Sequence, residues 1–291
     1  MVESFFPGFQ RSTVTVRGAD INVVCGGSGP PVLLVHGYPQ THVEWRHVAP
    51  ELAKSHTVVL VDLRGYGDSS KPASDASHEA YSKRAMALDL VDVMLALEFD
   101  TFDVLAHDRG ARVAHRLMLD HADRVSRAML LDICPTIHMY GNANRTFASA
   151  YFHWFFLIQD APLPEQFIGS NVQAWLNWFY RPEVRDRIGP DAMSEYIRCF
   201  SDPETIHASC EDYRASATID LEHDRFDKGR KVTTPLRVLW GSKGLVGQIY
   251  DVVLVWETFA EKVTGRAIDC GHWLPEEAPQ EVVAEARAFF N

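Results

Sequence analysis

The 291 residues carry 28 Lys and Arg against 39 Asp and Glu, a formal charge of −11, with 46% apolar and 23% charged side chains. This composition belongs to a folded chain with one large or two small domains, and it excludes disordered and collagen-like classes. So acidic a surface repels phosphate backbones, which argues against nucleic acid as a partner.

No apolar run approaches the roughly 18–20 residues that cross a bilayer, so no membrane partner is expected. The opening MVESFFPGFQ lacks a basic region followed by an apolar one, as a secretion signal would need. The five cysteines, Cys25, Cys134, Cys199, Cys210 and Cys270, are scattered without a C-x-x-C pair. They read as buried thiols of a reducing compartment, which predicts a cytoplasmic location.

In chain order, Thr13–Val16 and Ile21–Cys25 predict a hairpin. Val32–Val35, Thr57–Val61, Phe102–Ala106 and Ala128–Asp132 are short apolar runs suited to strands buried on both faces. Helices are expected between them, over Trp45–Lys54, Tyr81–Leu97 and Arg109–Leu119, the second with Ala85, Leu88 and Leu95 at helical spacing. From about Ile137 to Asp227 no buried strand is visible, and aromatics crowd the segment, among them Tyr151, Phe152, Trp154, Trp175 and Trp178. The alternation resumes with a strand at Leu236–Trp240, a helix around Ile249–Ala260, a strand near Arg266–Asp269 and a helix from Pro279 to Phe290. Alternating strands and helices predict an α/β class with a mostly parallel sheet. The expected organisation is a core of residues 1–136 and 228–291, with a helical cap domain, 137–227, inserted in it.

Ala106-His107-Asp108-Arg109-Gly110 stands where an apolar strand meets a helix. The α/β-hydrolase nucleophile elbow is G-x-S-x-G in that context. Here Asp108 takes the nucleophile position and Ala106 replaces the first glycine. His36-Gly37-Tyr38-Pro39 follows the strand Val32–Val35, where this fold draws one oxyanion-hole N–H. The expected donors are the backbone N–H groups of Tyr38 and Arg109. Cys270-Gly271-His272 follows the last predicted strand and offers His272 as base. The usual acid position, Gly241-Ser242-Lys243-Gly244, holds no carboxylate. Asp251 comes later, while Asp132 ends the neighbouring strand and is the expected partner of the imidazole.

A carboxylate nucleophile suits displacement at a saturated carbon, giving an ester on the enzyme that a His-activated water then cleaves. That chemistry points to alkyl halides or epoxides. Arg109 and Arg112, three positions apart at a helix start, would clamp a substrate carboxylate. No cofactor is implied, and no metal either, since no H-E-x-x-H spacing is present.

These motifs, with the stretches FFPGF, HGYPQTHVEW, VDLRGYGDSSKP, YSKRAMA, HDRGARVAHRLMLDH, LLDICPT, FHWFFLIQDAPLPE, CEDYRASATIDLEHD and GHWLPEEAP, resemble the haloacetate (fluoroacetate) dehalogenases of the α/β-hydrolase superfamily. The resemblance covers nearly the whole chain. It implies an α/β-hydrolase fold, hydrolysis of a small anionic haloacid to glycolate and halide, and a homodimer. It implies Asp108 as nucleophile, His272 as base, Asp132 as acid, and Arg109 with Arg112 on the substrate carboxylate. It further implies a halide pocket of His153, Trp154 and Tyr213, with Trp178 as a pocket wall. The chain departs from the family at Ala106, at Tyr38 where relatives often carry Phe, and over Asn171–Pro190. Two alternatives stay open: an epoxide hydrolase, using tyrosines among Tyr151, Tyr180 and Tyr213, and a non-catalytic ligand-binding protein on the same scaffold.

Overall fold

A computed structural model describes residues 5–291; the first four residues, part of the opening stretch judged above to lack a signal, lie outside it. The strands are β1 (Gln10–Val16), β2 (Ala19–Gly27), β3 (Pro31–Val35), β4 (Thr57–Val61), β5 (Phe102–His107), β6 (Val125–Leu131), β7 (Leu236–Gly241) and β8 (Val263–Ile268). Among the described residues they form one eight-stranded sheet in the order β1-β2-β4-β3-β5-β6-β7-β8. The expected hairpin is antiparallel and joins β4 antiparallel, while every pairing from β4 to β8 is parallel. The valines and leucines of β3, β4 and β5 are buried almost throughout, as strands covered on both faces require.

The order places β3 between β4 and β5. The chain leaves β3 towards one side of the sheet and returns on the other, which opens a crevice at the carboxyl ends of the strands. The loops after β3 and β5 meet there.

The helices are α1 (Ala49–Leu52), α2 (Lys83–Ala96), α3 (Asp108–Asp120), α4 (Thr136–Gly141), α5 (Arg145–Ala150), α6 (His153–Phe156), α7 (Leu163–Ser170), α8 (Val172–Phe179), α9 (Pro182–Phe200), α10 (Pro203–Ala217), α11 (Ile219–Phe226), α12 (Leu245–Ile249), α13 (Val252–Glu257), α14 (Leu274–Glu277) and α15 (Pro279–Phe290). Between β6 and β7 the chain is helical from α4 to α11 and forms no strand. None of the described helices is long and apolar enough to cross a membrane.

Three expectations need correction. The helix expected over Trp45–Lys54 is a 3-10 turn, His42–Trp45, followed by α1 with Pro50 in its first turn; proline starts a helix readily but cannot continue one. The helix expected around Ile249–Ala260 is divided into α12 and α13, and Asp251 caps α13 by accepting from Leu254 N–H. In α2 the expected face is the wrong one: Met86, Leu90, Val93 and Met94 are buried, whereas Leu95 is 38% exposed. Apolar residues lie all round this helix, so periodicity alone does not choose a side. Packing against α3 and β1 does.

Candidate active site

The turn from β5 into α3 holds Asp108 at φ +44°, in the left-handed region that a side chain rarely adopts. Crowding at this turn explains the glycines around it. A Cβ on Gly37 would lie 2.6 Å from Asp108 Cβ, and one on Gly110 would lie 2.4 Å from His36 O. Ala106 lies within β5, paired with Val35 and Leu130, and its methyl group is accommodated there.

Asp108 Oδ1 accepts the Tyr38 backbone N–H at 3.0 Å. Its Oδ2 lies 3.7 Å from His272 Nε2. His272 Nδ1 is 2.5 Å from Asp132 Oδ2, and Asp132 Oδ1 accepts from Gly241 N–H at 2.9 Å. Asp132, just past β6, also sits at φ +53°. The three expected side chains are therefore brought together, and the alternative acid Asp251 is spent on capping α13. Burial alone would push the Asp108 carboxyl up, but His272, His107, Arg112 and Arg109 around it hold it below the ordinary value.

The two arginines differ more than their spacing suggests. Arg109 is tied down by α10: Nε donates to Asp212 Oδ2 at 2.9 Å, and Nη2 donates to Asp212 Oδ1 at 2.5 Å and to Ser216 Oγ at 2.6 Å. Only its Nη1 has no partner. Arg112 is 3% exposed. It donates to Cys134 O, Thr136 Oγ1 and the Met139 sulfur, all neutral, and its buried Nε has no partner. No carboxylate among the described residues pairs with it. Burial lowers its pKa, against the pull of Asp108. The two arginines expected to clamp a carboxylate thus stand in different settings: Arg109 is neutralised by Asp212, and Arg112 has no paired carboxylate among the described residues.

The aromatics of the helical segment close over this centre. Tyr213 stacks under Arg109, with the guanidinium carbon 4.1 Å from the ring centre, and Trp154 lies in the same way under Arg112 at 4.6 Å. His153 and Trp154 approach Tyr213 with ring centres 5.8 and 6.3 Å apart. Burial drives the His153 imidazole down to about 3, so it stays neutral, and its Nδ1 has no partner. Trp178 is 47% exposed. It packs on Phe152 and on the flank of His153, so its indole also faces the outside of the molecule.

Several contributors escaped the sequence. Asp212 sits next to Tyr213 in the CEDYR string, yet only the fold brings it to Arg109 and Lys83. The Tyr38 hydroxyl accepts from Trp175 Nε1 at 2.7 Å, which ties the loop after β3 to α8. Glu44 and His107 form a buried pair behind Asp108. Asp212→Asn would leave two buried cations with less than one carboxylate each. A loss of about 3–5 kcal/mol is expected, as for breaking a buried pair from one side, to be read from the midpoint of urea unfolding.

The comparisons with known proteins agree with this architecture. Residues 30–279 match the family model described as alpha/beta hydrolase fold. The chain is 42% identical to fluoroacetate dehalogenase from Burkholderia sp over 98% of its length and 95% of the relative's. It is 34% identical to soluble epoxide hydrolase from Corynebacterium sp. (strain C12), covering 94% of this chain and 95% of that one. A solved structure of an α/β-hydrolase candidate from Nostoc sp PCC 7120 superposes with a TM-score of 0.95 at 52% identity, over 99% of each chain. An Asp-His-Asp constellation at the carboxyl ends of a mostly parallel sheet, with the family match spanning most of the sequence, gives one conclusion: the chain belongs to the α/β-hydrolase family.

Proposed function

We propose that the protein hydrolyses a haloacetate to glycolate and halide through an ester on Asp108. The observation that carries this reading is Arg112, a buried guanidinium beside the nucleophile with no anion of its own, in a chain of net charge −11. A buried unpaired charge is costly. A substrate carboxylate supplies the missing anion; a neutral haloalkane or epoxide does not. The fluoroacetate dehalogenase likeness supports the same substrate class.

In this reading the steps follow from the positions of the side chains. Tyr38 N–H holds Asp108 Oδ1, so Oδ2 is the oxygen that attacks the halogen-bearing carbon. The carbon–halogen electron pair leaves with the halide, towards the neutral donors His153, Trp154 and Tyr213. Hydrogen bonds to a charged group contribute roughly 1.5–3 kcal/mol each, and here they strengthen only as the bond breaks. Water then gives a proton to His272 Nε2 and adds to the Asp108 carboxyl carbon. The resulting oxyanion rests on Tyr38 and Arg109 N–H. Collapse expels the glycolate oxygen, which takes the proton back from His272. Asp132 holds the imidazole so that Nε2 faces the reaction. In this reading residues 137–227 act as a cap domain over a core of 1–136 and 228–291, and the protein works as a homodimer in the cytoplasm.

A second reading, epoxide hydrolysis, has one observation in its favour. The Tyr151 hydroxyl is buried without a partner, and its ring centre lies 6.3 Å from that of His272. Such a hydroxyl could protonate an oxirane oxygen. The assay that separates the two readings offers fluoroacetate, chloroacetate and styrene oxide to the purified protein. Halide release by an ion-selective electrode, with styrene oxide untouched, is expected. Diol formation without halide release would reject the haloacetate reading.

A further inference from the structure

Behind the nucleophile lies a buried ionisable pair that the reaction scheme does not use. Glu44, from the 3-10 turn after β3, and His107, the last residue of β5, are both 0% exposed. His107 Nδ1 faces Glu44 Oε2 at 3.2 Å, and its Nε2 faces the His272 backbone oxygen at 2.9 Å. Glu44 Oε2 also lies 3.5 Å from Gly37 N, in the loop that carries the Tyr38 N–H. Glu44 Oε1 is buried without a partner. The two rings, His107 and His272, are 4.9 Å apart between centres.

Both nitrogens of His107 meet oxygen acceptors. A neutral imidazole carries one N–H and satisfies only one of them, while an imidazolium satisfies both. We propose that Glu44 and His107 are positioning residues: a buried imidazolium–carboxylate pair that holds the His272 loop and the oxyanion-hole loop in register for hydrolysis of the ester. This rests on Asp108 being the esterified group. The chain of contacts runs from Gly37 N–H through Glu44 and His107 to the His272 carbonyl, and so links the oxyanion-hole loop to the loop that carries the base. The pair's positive end also lies beside Asp108, where the oxyanion develops.

The surrounding charges are consistent with this state. Burial pushes both groups towards their neutral forms and leaves the Glu44 carboxyl above its ordinary value, while at His107 the attraction of Glu44 outweighs burial and holds the imidazole up at about 9. Asp108 adds to the pull on His107. On the far side Glu44 faces His36, whose pKa burial lowers, and Glu276, which is paired with Arg46 at 2.6 Å.

Two readouts test the proposal. The first needs no substrate: nitrogen-15 NMR of the histidine rings. His107 should remain doubly protonated from pH 6 towards about 9 in the wild type and become neutral at pH 7.5 in Glu44→Gln. A neutral His107 at pH 7 in the wild type overturns the proposal on its own. The second is rapid-quench single turnover with chloroacetate. Glu44→Gln should slow ester hydrolysis by about tenfold or more while changing ester formation by less than about threefold. Equal slowing of both steps, or wild-type rates in both, overturns it. If Glu44→Gln does not fold, His107→Gln, which keeps an amide near His272 O but carries no charge, should show the same split, and its absence counts against the pair. A wild type that releases no halide from any haloacetate would reject the proposed function instead, leaving the NMR result to judge the pair.

Discussion

In a His272→Asn variant, one equivalent of halide per active site is expected, followed by arrest. Asp108 needs no base to attack: its carboxyl is held below the ordinary value by the cations around it, so it is charged at working pH. The hydrolytic water does need a base. Its loss typically costs about 10²–10⁴-fold, so the ester should accumulate and be visible as a mass increase on the intact protein. In this variant His107, Arg112 and Arg109 still draw the Asp108 carboxyl down although the pull of His272 is gone, so the burst should keep full amplitude at neutral pH and fade only towards acid. Asp108→Asn should give neither burst nor turnover, since the amide cannot form the ester. A single turnover of the wild type in heavy-oxygen water should leave the label in Asp108. Unlabelled Asp108 with halide still released would reject the covalent route. Undiminished turnover in His272→Asn would reject the base.

Arg112→Met is expected to separate activity from stability. The substitution removes a buried guanidinium that no carboxylate among the described residues pairs with, so the fold loses three neutral hydrogen-bond contacts and the pull on Asp108 but also a charge that is costly to bury. Stability should change little or rise. Binding of the substrate carboxylate should suffer by about 1.5–3 kcal/mol, roughly 10–150-fold, the range for hydrogen bonds to a charged group. The KM for chloroacetate under steady state, and the midpoint of thermal unfolding, are the two measurements. An unchanged KM would remove Arg112 from the substrate site. Arg109 should behave in the opposite way. Its guanidinium is already neutralised by Asp212, so truncating it leaves that carboxylate with the Lys83 ammonium and the Tyr66 hydroxyl and should weaken the fold first.

Much of this architecture was legible in the amino-acid order because it depends on local chemistry. Continuous Val and Leu runs specify strands buried on both faces, and their alternation with helices specifies a parallel sheet. The small residues around Asp108, and the pairs His36-Gly37 and Gly271-His272, are short-range devices: a sharp turn and close backbone approach leave few alternatives to them. Asp132 is the carboxylate expected once the position after β7 proves to hold none, and it lies within reach of His272 because β6, β7 and β8 are successive neighbours in the sheet.

What the order of residues could not settle was which charge answers which. Asp212 lies about a hundred positions from Arg109, and Glu44 about sixty from His107. No periodicity relates such pairs, since only the docking of α10 over α3, and of β5 beside the loop after β3, brings them within hydrogen-bond reach. The buried face of α2 was misjudged for the same reason: a helix with apolar residues all round takes its orientation from its neighbours. Spacing proposed a pair of like arginines. The packed interior made them unlike, because Coulomb interactions at low dielectric depend on distance and burial, which exist only once the chain has folded.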